Sequence, residues 1–195
     1  MRTLLKTIAD IWVGYQPKGR VERDVDGTHR LIQIKDFREG GSIDSDSLSW
    51  IVPDREPDRY RVREGDVLFS SRGKYNAAYV LENDPGDALA GGNLFVVRLK
   101  KENILPEYLA WSLNQPVMRE EIRGRMMGSN IPYISKKAFE QLEILVPPLE
   151  AQRRICDLIS LQRQEQRLLA ILATKREQLV QAVCYRAVHR YREEG

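Results

Sequence analysis

Hydrophobic residues change period once along this chain, at Pro147-Pro148. Upstream they come in short runs punctuated by glycine and proline. Downstream they recur every three or four residues, with neither breaker until Gly195. Proline sets its own φ and restricts the residue before it, so the pair stops one element and pre-sets the start of the next. The pattern predicts a single helix of roughly 40 residues, about 60 Å long at about 1.5 Å per residue. A rod longer than a small domain needs something to pack against.

Leu158, Leu161, Glu165, Leu168, Leu172, Lys175, Leu179 and Ala182 are spaced alternately three and four apart, which is the seam of a coiled coil. A second stripe runs beside it through Ile155, Ile159, Gln162, Gln166, Leu169, Ala173, Arg176, Val180 and Val183. The apolar face is therefore wider than a two-stranded seam requires. The competing reading is a terminal helix folded back on its own core, but few globular helices exceed about 25 residues. In an antiparallel pair, Glu165 of one helix would face Lys175 of the other and set the register.

Upstream, residues 1–16 place Leu4, Leu5, Ile8, Ile11 and Trp12 in a short helix or strand closed by Gly14. Residues 30–35 alternate as a strand, and residues 36–60 read as loop with a short strand near Trp50. Residues 67–71, 77–81 and 93–99 are predicted strands, the first following the turn Glu64-Gly65-Asp66 and the third following Gly91-Gly92. Pro106 and Pro116 each stand in the first turn of a short predicted helix. Residues 130–134 read as extended, Ser135 as the cap of a helix over residues 136–142, and residues 143–146 as a last strand. The expectation is a mixed α/β (α+β) domain with a largely β core over residues 1–147, then a long coiled-coil helix over residues 148–195.

Composition narrows the class. The chain has 195 residues, 42% hydrophobic and 30% charged, and no apolar run of about 18 residues that would span a membrane. The start, Met1-Arg2-Thr3-Leu4-Leu5-Lys6, lacks the apolar core of a secretory signal, so a cytoplasmic location is expected. Cys156 and Cys184 both lie on the predicted helix, about 42 Å apart along a straight rod, too far to pair within one chain. With two histidines and no CxxC, no metal site is expected. The net charge of +3 resides in the helix, since residues 1–148 carry 22 basic and 22 acidic side chains. Any nucleic-acid contact must use a locally basic face.

No nucleophile, acid–base pair, phosphate loop or cofactor cradle is visible, and no cofactor is expected. Asn130-Ile131-Pro132-Tyr133 is similar to the Asn-Pro-Pro-Tyr signature of amino-methyltransferases, but isoleucine replaces the first proline and no glycine-rich strand-turn-helix precedes it. Pro53-Asp54 lacks the Glu-x-Lys that would complete a nuclease motif. Asp44, Asp46, Asp54, Glu56 and Asp58 read as a solvated loop. What stands out is a set of basic loops flanked by glycine. The candidate DNA contacts are Lys18 and Arg20; Arg72, Lys74, Tyr75 and Asn76; and Arg123, Arg125, Ser129, Asn130, Tyr133 and Lys136. Arginine forks match guanine and phosphate, asparagine matches adenine, and tyrosine and serine hold phosphates. Ordinary solvated loops share this composition, so both readings stay open at this level.

An ordered set of motifs resembles a known family. Glu64-Gly65-Asp66-Val67-Leu68 with Arg72-Gly73, then Leu105-Pro106-Glu107-Tyr108-Leu109, Gly128-Ser129-Asn130-Ile131, and Pro147-Pro148-Leu149-Glu150-Ala151-Gln152-Arg153-Arg154-Ile155 are similar to the specificity subunits of type I restriction-modification systems. Ala151 departs from the glutamate common there. The resemblance implies a target recognition domain that reads double-stranded DNA in the major groove, followed by a conserved spacer helix. It also implies that methylation and cleavage belong to partner methyltransferase (modification) and restriction subunits, so this chain is not itself an enzyme. Family members usually carry two recognition domains and two helices, whereas one of each is present here. The expectation is a half-length subunit acting as a homodimer through the leucine seam. A coiled-coil scaffold or a stand-alone DNA-binding protein of the same fold is the alternative.

Overall fold

The computed structural model describes residues 1–17, 27–37, 43, 48–73 and 76–193, with side chains described as far as residue 189. It divides into two compact units, Met1–Arg154 and Ile155–Gly195. The first is mixed α/β, and the long helix α5 (Leu149–Glu193) begins in it and makes up the described part of the second.

The central element of the first unit is a four-stranded antiparallel sheet. It is built from β2 (Ala9–Val13), β8 (Leu94–Leu99), β5 (Val67–Ser70) and β6 (Ala78–Val80), in that order. All four residues of β5 are buried, because the sheet is covered on both faces. On one face Leu68, Leu94 and Val96 pack with Ile32, Ala88 and Ala90. On the other, Phe69 and Phe95 meet Phe139 of α4 (Lys136–Glu140), with ring centroids 4.4 and 5.2 Å from it. A strand covered on both sides loses the polar alternation of a half-exposed strand and reads as a continuous apolar run.

A three-stranded sheet supplies the first covering layer. Here β3 (His29–Ile32) lies between β4 (Ser49–Ile51), antiparallel to it, and β7 (Ala88–Ala90), parallel to it. The two sheets meet at Gly14 and Gly91. A Cβ at Gly14 would lie 2.3 Å from the Gly91 carbonyl oxygen, so only glycine permits the Tyr15 N–H to reach the Ala90 carbonyl at 2.6 Å.

Two helices close the far side, α2 (Pro106–Asn114) and α3 (Pro116–Gly124), each with proline in its first turn. The Asn114 amide donates to the Ala78 carbonyl at 2.7 Å and accepts from the Ala78 N–H at 3.0 Å. It thereby pairs the backbone of edge strand β6. The domain's two ends pair with each other, since β1 (Arg2–Leu4) runs antiparallel to β9 (Glu143–Leu145), with Thr3 opposite Ile144.

Local signals translate directly. The Glu64-Gly65 turn delivers Asp66 as a buried carboxylate, 1% exposed. It accepts the Arg98 guanidinium in a fork at 2.8 and 2.7 Å. That bond pushes the Arg98 pKa further up, and Arg98 lies 4.9 Å from the centroid of the Trp12 ring. Ser135 caps α4 by accepting from the Ala138 N–H at 3.2 Å. The amino-terminal stretch is both elements in succession, β1 and β2 joined by the single turn α1 (Leu5–Ile8). The predicted strand over residues 30–35 stops at Ile32 and gives way to a 3-10 turn at Ile34–Asp36, where the Asp36 carboxylate accepts the Gln33 N–H at 2.7 Å. The helix after Ser135 ends at Glu140 instead of Leu142. Strand β7 is absent from the sequence expectation, because Ala-Leu-Ala carries no strand signal of its own.

Candidate nucleic-acid interface

In an antiparallel sheet of order β2-β8-β5-β6, one end collects the exit of β2, the approach to β8, the exit of β5 and the approach to β6. Residues 14–17, 91–93, 71–73 and 76–77 therefore gather there. This topology brings Arg72 and Asn76 to the end that also holds Gln16 and Asn93.

Residues 127–134 extend this edge. Tyr133 forms bridges with Arg72 on one side and Met127 on the other. The Gly73 N–H donates to the Pro132 carbonyl at 2.9 Å, the Ile134 N–H to the Ser71 carbonyl at 3.0 Å, and Met127 and Tyr133 exchange both backbone bonds at 2.8 Å. The Arg72 guanidinium lies 5.9 Å from the centroid of the Tyr133 ring, within the range of a cation–π contact. Gly128, at φ +91°, turns the chain so tightly that a Cβ there would stand 3.2 Å from the Ile131 carbonyl oxygen. The turn leaves Met127, Ser129, Asn130, Ile131 and Tyr133 exposed beside Arg72. Residues far apart in sequence thus form one exposed ledge with a fork donor, an amide, a hydroxyl and apolar tips.

The other candidates divide. Arg125 is half-buried, donating to Glu121 Oε1 at 2.5 Å and to the Ala138 carbonyl at 3.3 Å. It thus bridges α3 to α4 at the base of this loop. Asn76 donates to the Ser70 carbonyl at 2.6 Å, holding the turn after β5. Lys136 pairs with Glu140 at 3.2 Å along α4. Arg123 is exposed near the end of α3. Lys18, Arg20, Lys74 and Tyr75 lie outside the described residues. So do Asp44 and Asp46, but Asp54 corrects the solvated-loop expectation. It accepts the hydroxyl of the buried Tyr15 at 2.5 Å and its N–H donates to the same oxygen at 3.0 Å. Burial first, and then this bond, push the Tyr15 pKa up. Among the described residues no group of three or more His, Cys, Asp or Glu side chains is placed to hold a metal ion.

On α5, Leu158, Leu161, Leu168, Leu172 and Leu179 are exposed in the single chain, as are Glu165, Lys175 and Ala182. Neither Cys156 nor Cys184 forms a disulfide. The opening of α5 explains the Pro-Pro-Leu-Glu-Ala-Gln motif. Gln152 is fully buried. Its carbonyl accepts the Leu105 N–H at 2.9 Å, and its amide donates to the carbonyls of Asn103 at 2.9 Å and Pro147 at 2.8 Å. Nothing in the sequence distinguishes this glutamine from its exposed neighbours except its offset from the prolines.

The family model for the type I restriction modification DNA specificity domain matches residues 47–179, about two thirds of the chain. The chain belongs to this family. Among curated members, this specificity domain is 31% identical over 126 residues to the putative type I restriction enzyme MjaX specificity subunit of Methanocaldococcus jannaschii, covering 60% of this chain and 29% of that protein. It is 26% identical over 149 residues to the MjaVIII specificity subunit of the same organism, covering 75% and 32%. The chain thus spans about a third of the length of the curated relatives it matches. Among solved structures, the HsdS subunit from Thermoanaerobacter tengcongensis is similar with a TM-score of 0.60 at 23% identity, over 85% of this chain and 37% of that one. That likeness carries the fold: a mixed α/β unit followed by a long helix.

Proposed function

We propose that this specificity domain is a non-catalytic DNA-recognition module of a type I restriction-modification system, reading base edges of double-stranded DNA with the end of its four-stranded sheet. The observation that carries this is the convergence of Arg72, Tyr133 and the Met127 to Asn130 turn on one exposed ledge. Stacking on Tyr133 limits the freedom of the Arg72 fork, which lowers the entropy lost when it binds guanine or phosphate. Asn130 adds an amide that matches adenine.

The reading extends to assembly. Two copies pair through the exposed leucine seam of α5, antiparallel, so that two recognition units read inverted half-sites separated by unread base pairs. Methyltransferase and restriction subunits dock on this scaffold in the cytoplasm and carry the chemistry.

Fluorescence anisotropy against duplex DNA over a salt series, with Arg72→Ala and Tyr133→Ala beside the native protein, tests the recognition step. Binding that weakens with salt, and a loss of about 1–3 kcal/mol for Arg72→Ala on the specific site alone, are the expected results. No salt-dependent association at all favours a coiled-coil scaffold without DNA binding. Co-purification with a methyltransferase subunit tests the docking step, and its absence points to a stand-alone DNA-binding protein.

A further inference from the structure

We infer that Gln16 and Asn93 are specificity-determining residues whose side-chain amides read adenine edges alongside Arg72, an inference that rests on the DNA-recognition reading above. Both lie in connections at the same end of the four-stranded sheet as Arg72. Neither residue is charged, so neither carries in its own side chain the signature by which DNA contacts are sought in sequence.

The case starts from what their backbones already do. The Asn93 carbonyl accepts both the N–H and the hydroxyl of the buried Ser71, each at 2.9 Å. Asn93 is thereby fixed beside the residue that precedes Arg72. The Gln16 carbonyl accepts from the Arg55 guanidinium at 2.9 Å, and the chain at Gly92 comes so close that a Cβ there would lie 3.0 Å from the Cβ of Gln16. The main chain of both residues is committed. Their side chains are not: both are exposed, and neither amide has a hydrogen-bond partner among the described residues.

A fixed backbone with an uncommitted amide suits reading, because little ordering remains to be done when a base arrives. The space for it is present. A cleft of about 380 Å³ opens between these segments, with Gln16, Gln33, Lys35, Gly91, Gly92 and Asn93 on its walls. An amide donates and accepts at once, which matches the N7 acceptor and N6 donor that adenine alone presents in the major groove. Lys35 is exposed on the same cleft and supplies a cation for the neighbouring phosphate. An arginine suited to guanine and two amides suited to adenine therefore share one end of one sheet.

Selection from a randomised duplex pool by the native protein, Gln16→Ala, Asn93→Ala and Arg72→Ala tests this. Each amide variant is expected to select the native consensus with one adenine position relaxed, to bind the native site about tenfold or more weakly, and to keep the native salt slope. A duplex with 7-deaza-adenine at the relaxed position, which lacks the N7 acceptor, should weaken the native protein and leave the variant unaffected. Full consensus retained by both amide variants, while Arg72→Ala loses a position, overturns the inference and leaves the recognition reading standing. No consensus and no salt-dependent binding by the native protein overturns both. Both residues are exposed, so thermal melts of the variants are expected to match the native melt.

Discussion

The side-chain carbonyl of Gln152, in the first turns of the long helix, accepts the backbone N–H of Leu105, at the start of α2, at 2.9 Å across 47 positions of sequence. With the Asn103 and Pro147 carbonyls bound to its amide, this one side chain satisfies three backbone groups inside the first unit. Gln152→Ala should lower the unfolding free energy by about 2–4 kcal/mol, because those groups lose their partner where water cannot replace it. Gln152→Glu is more informative. It keeps the acceptor for Leu105 but sets a carboxylate against two carbonyl oxygens, so its folded-state pKa should rise above the ordinary value of about 4.3. A raised folded pKa stabilises at low pH, and that stabilisation is lost as pH rises. Urea midpoints for Gln152→Glu should approach native at pH 4 and fall well below it at pH 7.5. Equal midpoints for native and Gln152→Glu at pH 7.5 would contradict the three-bond arrangement.

Arg125 has the charge and the glycine neighbour of a DNA contact, yet its geometry makes it the brace of the loop that carries Met127 to Asn130. The two roles differ in salt dependence. If Arg125 bound a phosphate directly, Arg125→Ala would reduce the salt slope by about one. Removal of a brace should instead weaken specific binding while leaving the slope unchanged. Glu121→Ala, which removes a carboxylate and no DNA-binding group, should then reproduce the Arg125→Ala defect. Native binding by Glu121→Ala together with a reduced slope for Arg125→Ala would restore the phosphate role.

Tyr15 offers a pH test. Its hydroxyl is buried against Asp54, and burial with that bond raises its pKa. A tyrosine whose folded pKa exceeds the unfolded value of about 10 contributes stability that is complete below about pH 10 and is lost as pH rises through its folded pKa. Tyr15→Phe should cost about 1.5–3 kcal/mol at neutral pH, since it leaves Asp54 short of a donor and an acceptor. Its stability should also fall less steeply than native above about pH 10. Parallel stability curves for the two proteins between pH 9 and 11 would show that Tyr15 does not titrate with folding.

What is legible in the sequence follows the range of the interaction. The Pro147-Pro148 stop, the prolines opening α2 and α3 and the Ser135 cap depend on neighbours within a few residues, and each element lies close to where its signal stands. Strand β7 and its parallel pairing with β3 depend on residues more than fifty positions away, and no local preference of Ala-Leu-Ala announces them. The candidate interface shows the same division. Arg72, the Gly128 turn and Tyr133 are each visible as candidates in the sequence, but nothing in either stretch indicates that Tyr133 bridges Arg72 on one side and Met127 on the other. Arg125 and Asn76 have the composition of contacts and the geometry of braces, a distinction that only their partners Glu121, Ala138 and Ser70 reveal. Gln16 and Asn93 present the reverse case, ordinary loop amides made conspicuous by where the sheet topology delivers them.

The polar members of the α5 seam test the proposed pairing of two copies. Glu165 and Lys175 lie symmetrically about Ala170, as do Leu168 with Leu172, Leu161 with Leu179, and Leu158 with Ala182. An antiparallel pair centred there places each glutamate against its partner's lysine, twice by symmetry, among facing apolar positions. Each exposed pair contributes about 0.5–1 kcal/mol, so Glu165→Lys or Lys175→Glu alone should weaken self-association by roughly 5- to 30-fold. The double swap should restore it, because each lysine again faces a glutamate. A parallel, in-register pair gives a different pattern, since position 165 then faces itself and the double swap merely exchanges one like-charge pair for another. Sedimentation equilibrium on the four proteins therefore separates the cases. Rescue by the double swap supports the antiparallel dimer, additive weakening excludes this register, and a stable monomer of the native protein at micromolar concentration removes the homodimer from the proposed function.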